Sequence, residues 1–250
     1  MEEHCQTDTA PESRTERLRN PDDWVKLLAF GLMAVDHVGW LLLPGEPWLR
    51  WLGRLSMPLF AYLIAVGFSR TRSPLRYAGR LLLVGLVSQP VFWWVSPNMG
   101  THSLNIFFTL ALGLGWLAWR KKDPFTAWLT LGGLVVTALA FGADPLFAVT
   151  YGTYGVLCVA LLDATLVRPA KPRAMLAFVL LSAASLGWAL RLGAGGRQEL
   201  AGLAVLLVLA CAWKQRRRMT LPARRWLYFF YPVHLLLLGL LARLLGIPVP

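Results

Sequence analysis

Charged residues are scarce in this 250-residue chain, and acidic residues are scarcer than basic ones. Lys, Arg, Asp and Glu make up 15% of the sequence, with 25 basic against 13 acidic side chains. A soluble domain carries about 25% charged residues, so the composition excludes an ordinary soluble protein. Hydrophobic residues reach 56%, and 12 Trp and 12 Phe supply the aromatic rings that anchor helices at lipid–water interfaces. An integral membrane protein is therefore predicted.

Cysteine is also rare, which excludes several kinds of site. Cys5 lies in a polar N-terminal segment, whereas Cys158 and Cys211 lie inside apolar runs. This spacing predicts no disulfide framework, redox pair or metal site. No metal-binding motif, phosphate-binding glycine loop or dinucleotide fingerprint occurs either. We therefore expect no metal ion and no nucleotide bound through such a loop.

The net charge of +12 suggests a nucleic-acid partner at first sight, but the basic residues occur in short clusters between apolar runs. Membrane proteins place them there, on the cytoplasmic side. Twenty of the 25 basic residues fall on the N-terminal segment and alternate connections, and the other side keeps Arg50, Arg54, Arg191, Arg197 and Arg243. We therefore expect the lipid bilayer and no nucleic acid as a partner, with a cytoplasmic N-terminus and an outer C-terminus.

The apolar runs predict an all-α, polytopic membrane bundle of about nine transmembrane helices, since about 20 residues span a bilayer. Short connections indicate antiparallel neighbours in a single domain over 21–250, preceded by a disordered cytoplasmic tail over 1–20. The runs cover approximately 24–43, 50–69, 77–95, 104–119, 125–141, 146–163, 174–190, 198–213 and 226–246.

Ionisable groups inside these runs are the first candidates for function, because burying them in hydrocarbon is costly. Asp36 and His37 in the first run and Arg54 near the start of the second are predicted to converge on the outer half of the bundle. Other polar residues that reach the same half are Asn105, Thr109, Tyr151 and Tyr154, and His234 is expected near the middle. The alternative for these others is that they only bond helices together.

Two helical faces lead from the cytoplasmic side toward this cluster. Lys26, Phe30, Met33 and His37 form one stripe at helical spacing. Arg72, Arg76 and Arg80 form a basic ridge that suits a phosphorylated ligand, because arginine forks match phosphate oxygens. The same ridge also fits an ordinary positive-inside cluster, and the sequence leaves both interpretations open.

Six short segments together resemble the TraX family of F-pilin acetylases, which is akin to the membrane acyltransferase-3 group. They follow one another in the expected order, and the stretches 120–145 and 165–225 match in hydropathy only. The segments are Asp23-x-x-Lys26 with Met33-Ala-Val-Asp36-His37-Val-Gly39, Gly53-Arg54-Leu-Ser-Met-Pro58-Leu-Phe60, Tyr77-Ala-Gly-Arg80-Leu81, Leu104-Asn105-Ile-Phe-Phe-Thr109, Tyr151-Gly152-Thr-Tyr154-Gly155 and Phe230-Tyr231-Pro232-Val-His234-Leu235.

The resemblance implies an acetyltransferase of the bacterial inner membrane that moves acetyl from acetyl-CoA to the N-terminal amine of a pilin subunit. In such a reaction we expect His37 to act as general base and Arg54 to hold the oxyanion or orient the acceptor. Asp36 is expected to pair with Arg54 or with a backbone group. Residues expected to bind the donor are Lys26, Arg76 and Arg80. Those expected to contact bound substrate are Asn105, Thr109, Tyr151, Tyr154 and His234. A covalent acetyl-histidine relay remains an alternative to direct transfer.

Two other functions fit the same residues. One is an O-acetyltransferase for a cell-envelope glycan, since the acceptor leaves no mark on the sequence. The other is a small transporter or assembly factor in which Asp36, His37 and Arg54 form a proton or substrate path. The absence of an internal repeat counts against a transporter.

Overall fold

A computed structural model describes residues 23–97, 103–141, 146, 150–167 and 227–248. Within these ranges the regular structure is helical, as predicted, and a π-helical turn, Asp163–Val167, continues the seventh helix. The α-helices are α1 Asp23–Leu41, α2 Pro47–Gly53, α3 Ser56–Arg70, α4 Pro74–Val95, α5 Ile106–Lys122, α6 Pro124–Phe141, α7 Gly152–Leu162 and α8 Leu227–Leu244. The predicted tail over 1–20 and the predicted runs 174–190 and 198–213 lie outside the described residues.

Three of these helices are long and apolar enough to cross a membrane, namely α1 over Trp24–Leu41, α4 and α8. The 19 residues of α1 extend about 28 Å at 1.5 Å per residue, close to the thickness of a hydrocarbon core. Shorter apolar helices cover Ser56–Arg70, Pro124–Thr137 and Gly152–Leu162. The chain is therefore a helical membrane protein.

The distribution of side chains agrees with a lipid environment. Large aliphatic residues are exposed along α4 and α8, among them Leu83, Leu86, Leu237 and Leu240. Polar residues such as Asp36, His37, Gln89 and Asn105 are buried. An exposed apolar surface of this extent is unfavourable in water and favourable against lipid, so the polar groups must find their partners inside the bundle.

Contacts between helix ends show how the helices alternate. The first turns of α1, α4 and α8 meet at one cavity through Lys26, Tyr77 and Tyr228. At the opposite end, the backbone amide of Thr150 donates to the carbonyl of Leu104 at 2.9 Å, which joins the segments that precede α5 and α7. We call these ends the Lys26 end and the Leu104 end. Accordingly α1, α4 and α8 run away from the Lys26 end, and α5 and α7 run toward it.

The predicted second run, 50–69, is wrong as a continuous helix. It is divided into α2 and α3, with Arg54 and Leu55 in a turn between them. Pro58 lies in the first turn of α3 and has no amide hydrogen to donate to the carbonyl of Arg54. A proline ring also clashes with the carbonyl four residues earlier, which interrupts a helix at that point.

The short helix α2 packs closely on α1 because glycines face each other's helix. A Cβ atom on Gly39 would lie 2.6 Å from the Cβ of Leu49, and one on Gly53 would collide with the backbone of Asp36. Any larger residue at Gly53 would push α2 away from α1. This close approach brings the side chain of Arg50 within reach of Asp36.

Candidate functional site

Among the described residues, a larger and a smaller cavity meet at shared lining residues. The larger, called here the Lys26 cavity, has a volume of about 350 Å³ and is lined by residues that include Lys26, Phe30, Tyr77 and Arg80. The smaller, called the Asp36 chamber, has about 50 Å³ and contains Asp36, His37, Trp40, Arg50, Arg54 and Tyr151. Met33, Ile106 and Tyr231 line both. These three side chains therefore form the partition between the two spaces.

A buried carboxylate between two arginines dominates the Asp36 chamber. Arg50 donates through Nη1 to Oδ2 of Asp36 at 2.7 Å and to the backbone carbonyl of Asp36 at 3.1 Å. Arg54 approaches from the other side, with its Nε 3.8 Å from Oδ1 of Asp36. The guanidinium of Arg54 also lies over the ring of Tyr151, 5.2 Å from its centroid. Asp36 is thereby held in place by a direct bond to Arg50.

The other carboxylate oxygen of Asp36 and the nearest nitrogen of Arg54 lack hydrogen-bond partners. Oδ1 of Asp36 and Nε of Arg54 are both buried, and neither makes a hydrogen bond. Buried polar atoms without hydrogen-bond partners are uncommon in folded proteins, and each one needs an explanation. Here one atom accepts and the other donates, and both belong to residues that line the chamber. A ligand that carries a donor and an acceptor would satisfy both.

Two buried histidines are in contact beside this carboxylate. Nδ1 of His37 in α1 lies 2.7 Å from Nε2 of His234 in α8. Nδ1 of His234 lies 2.6 Å from the backbone carbonyl of Phe230, one helical turn earlier. His37 lines the chamber, whereas His234 stands behind it and lines neither cavity.

Several predicted site residues are brought together by the fold. Asp36, His37, Arg54 and Tyr151 share the Asp36 chamber, and Lys26 and Arg80 share the Lys26 cavity. The predicted α1 stripe connects the two spaces. Its members Lys26, Phe30 and Met33 line the cavity, and Met33 and His37 line the chamber.

Other predicted residues lie elsewhere. The side chain of Asn105 caps α5 by accepting from the amide of Phe107 at 3.0 Å, and donates to Gly85 and Gln89 in α4. The hydroxyl of Thr109 donates to the carbonyl of Thr150. Arg76 is exposed and Tyr154 packs against the hydrophobic core. These four residues line neither cavity.

Arg50 is the residue that sequence reasoning missed. By sequence Arg50 is only one of the basic residues expected on the outer side, yet it makes a shorter ion pair with Asp36 than Arg54 does. The available signal was the turn Pro44-Gly45-Glu46-Pro47, which folds the chain back on α1, together with the spacing of four between Arg50 and Arg54. Tyr231 and Trp40 were likewise not singled out as lining residues. Among the described residues, no group of three His, Cys, Asp or Glu side chains could hold a metal ion.

Comparison with known proteins assigns the part of the chain that forms this site to a family. The model of the family described as TraX protein matches residues 22–242. This chain belongs to the TraX family. Its match includes every residue of the Asp36 chamber and the Lys26 cavity. No solved structure matches the chain.

Individual relatives of this TraX family member differ in coverage. "Protein TraX" of Escherichia coli strain K12 is 28% identical over 246 residues, which cover 95% of this chain and 94% of the relative. A second "Protein TraX" of Escherichia coli is 30% identical over 227 residues, or 88% and 86% of the two chains. "Probable fimbrial assembly protein FimC, serogroup H1" of Dichelobacter nodosus is 34% identical over 103 residues, and the alignment covers 36% of this chain and only 42% of that relative.

A double-mutant cycle tests whether Arg50 and Asp36 interact as the structure describes. Asp36→Asn and Arg50→Gln should each destabilise the purified protein, and together they should cost less than their sum. We expect a coupling of about 0.5–3 kcal/mol in the free energy of unfolding, the range for residues in direct contact. The control pair is Arg50→Gln with Asp123→Asn, because Asp123 is bonded to Thr126 at the start of α6. Additive effects for Asp36 and Arg50 would contradict the ion pair.

Proposed function

We propose that this protein is an acetyltransferase embedded in the bacterial inner membrane, which moves acetyl from acetyl-CoA to the N-terminal amine of a pilin subunit. The observation that carries the proposal is the meeting of two unlike cavities at Met33, Ile106 and Tyr231. One has cationic side chains for an anionic donor, and the other has an imidazole, a carboxylate and two arginines for the reaction. A substrate from each side meets the other at the partition.

The Lys26 cavity suits the donor. CoA carries phosphates, which Lys26 and Arg80 attract. In acetyl-CoA its narrow pantetheine arm ends in the thioester. Aromatic and aliphatic side chains, such as Phe30, Phe60 and Leu81, line the rest of the cavity. With about 350 Å³ the cavity falls in the range of small-molecule sites, about 300–1,000 Å³. The arm would carry the acetyl group toward Met33 and Tyr231.

The Asp36 chamber suits the acceptor and the developing charge. Oδ1 of Asp36 can accept a hydrogen bond from the attacking amine, and Nε of Arg54 can donate to the acetyl oxygen. Neither atom has another hydrogen bond. A donor fixed in advance in a water-poor site stabilises an oxyanion strongly, because nothing must reorganise as the charge forms.

Proton transfer falls to His37. The amine nitrogen attacks the acetyl carbon, its proton moves to an imidazole nitrogen of His37, and the carbonyl π electrons move to oxygen. The tetrahedral intermediate then collapses, the carbon–sulfur bond breaks, and the departing thiolate receives the proton from His37. General base catalysis by a positioned imidazole contributes about 10²–10⁴-fold in rate.

The pilin acceptor is supported by the relatives rather than by the chamber. One relative is named as a fimbrial assembly protein, and fimbriae, like conjugative pili, are built from pilin subunits. The acetyl transfer rests on the resemblance of the chain to pilin acetylases and on the chemistry of the chamber. A glycan hydroxyl is the alternative acceptor, and the assay below distinguishes the two.

The same proposal includes nine transmembrane helices, with a cytoplasmic N-terminus and an outer C-terminus. The described helices support it, because α7 ends at the Lys26 end and α8 begins there. The proposal therefore puts an even number of crossings between them, for which the predicted runs 174–190 and 198–213 supply two. Lys26 and Arg80 lie at the Lys26 end, and by the positive-inside rule they support a cytoplasmic location for it.

Reporter fusions test this topology. Alkaline phosphatase fused after Pro250 should be active, because that enzyme folds only outside the cytoplasm, and a fusion at Arg120 should be inactive. Arg120 ends α5 at the Lys26 end. Activity at both positions would show that the number of crossings is wrong by one.

The activity itself is tested with the purified full-length protein in lipid nanodiscs. Labelled acetyl-CoA should transfer its acetyl group to a pilin with a free N-terminus, detected by mass spectrometry, and His37→Ala should lower the rate about 10²-fold or more. A pilin with a blocked N-terminus serves as the control. Transfer to glycan hydroxyls and not to pilin would show that the acceptor is a glycan. No transfer to any acceptor would refute the acetyltransferase proposal.

The donor site is tested by comparing two neighbouring arginines. Arg80→Gln should raise KM for acetyl-CoA about tenfold with little change in kcat, since Arg80 lines the cavity and its loss weakens ground-state and transition-state binding alike. Arg76→Gln is the matched control. It removes the same charge one helical turn earlier, from a residue outside the cavity lining, and should leave KM nearly unchanged. Equal effects of both substitutions would show that only general charge matters.

A further inference from the structure

The second histidine has no place among the groups that touch substrate in the proposed reaction. His234 lines neither cavity, yet its Nε2 is 2.7 Å from Nδ1 of His37. Its ring is held firmly by its own helix. Nδ1 faces the carbonyl of Phe230 at 2.6 Å, and the ring stacks on that of Phe230 with 4.7 Å between centroids and an interplanar angle of 18°. A ring fixed in this way aims one nitrogen at His37.

The bonds on the two sides of His234 determine where its proton lies. A carbonyl oxygen only accepts, so the nitrogen that faces Phe230 must carry a hydrogen. A neutral imidazole has one N–H, and Nε2 of His234 is therefore an acceptor. The reverse arrangement would set the lone pair of Nδ1 against a carbonyl oxygen at 2.6 Å, which is repulsive. A doubly protonated His234 would place a cation on a buried side chain inside the bundle, at a high desolvation cost.

The protonation of His234 determines that of His37. Because Nε2 of His234 accepts, Nδ1 of His37 must donate, and the neutral ring of His37 carries its hydrogen on Nδ1. Nε2 of His37 is left with the lone pair, and His37 is the histidine whose ring lines the chamber. The carbonyl of Phe230 thus fixes the tautomer of two rings in sequence.

We propose that His234 is a positioning residue that locks His37 in the tautomer with a basic Nε2. This inference rests on the proposed function, since it assigns the group that orients the base. When His37 takes the amine proton on Nε2, its Nδ1–H bond to His234 spreads the positive charge over a second imidazole. No proton needs to leave the pair, because the thiolate receives the transferred proton from Nε2 of His37.

Two substitutions at His234 separate this role from a purely structural one. The side-chain amide of Gln reaches the position of Nε2, and that of Asn reaches the position of Nδ1. His234→Gln keeps an acceptor for His37 and should retain kcat within about tenfold. His234→Asn keeps only the bond to Phe230 and should lower kcat about 10²-fold or more, with KM for acetyl-CoA unchanged. A structural role at Phe230 predicts the opposite order, and equal activity of the two variants also overturns the proposal.

A spectroscopic measurement on the unsubstituted full-length protein removes any dependence on turnover. Nitrogen-15 NMR of histidine-labelled protein distinguishes protonated from lone-pair ring nitrogens, and the signals of His37 and His234 are assigned from the variants that lack each ring. Both histidines should be protonated on Nδ1, and His37 should lose this preference in His234→Asn. Protonation of His37 on Nε2 in the native protein would refute the proposal. If instead the tautomers are as expected and wild-type protein transfers no acetyl group, the proposed function fails and the histidine contact stands.

Discussion

The carboxylate of Asp36 lies inside a bundle whose outer surface is apolar, and an ion there must be neutralised by its neighbours. Arg50 supplies that partner at 2.7 Å, and it does so only because α2 folds back against α1. The close approach of α2 depends in turn on Gly39 and Gly53, which leave no Cβ between the helices. The turn at Arg54, which Pro58 imposes, brings a second cation to the same carboxylate. The glycines, the short helix and the interrupted span together bring the arginines to this one buried charge.

The polar interior is divided into groups that hold helices together and groups that face open space. Asn105 and Gln89 bond to each other and to backbone carbonyls, so they join α5 to α4 and have little left for a ligand. Asp36, Arg54 and His37 instead line the chamber, and two of their buried atoms have no hydrogen bond. In a membrane protein both kinds of group are costly to bury, and the difference between them lies in what remains unsatisfied.

Hydropathy predicted the helices well because lipid demands long apolar runs, and the meeting of Asp36, His37 and Arg54 followed from their depth along two runs. The break at Arg54 was missed, because an apolar run continues through it and only Pro58 marks it. Arg50 was missed because its role arises from the direction of α2 rather than from its depth. Asn105 and Thr109 could not be separated from ligand-facing groups, since an amide or hydroxyl in a span serves either purpose. The contact between His37 and His234 depends on how α1 and α8 cross, which no local pattern encodes.

That contact joins residues 197 positions apart, whereas Asp36 and Arg50 are 14 apart. The ion pair can form as soon as the first hairpin has left the ribosome. At about 5–20 residues per second, the second histidine follows roughly 10–40 s later. A chain that stops before α8 can assemble the charged half of the chamber but leaves the imidazole of His37 unpaired. The synthesis of α8 thus decides when the chamber beside α1 is complete.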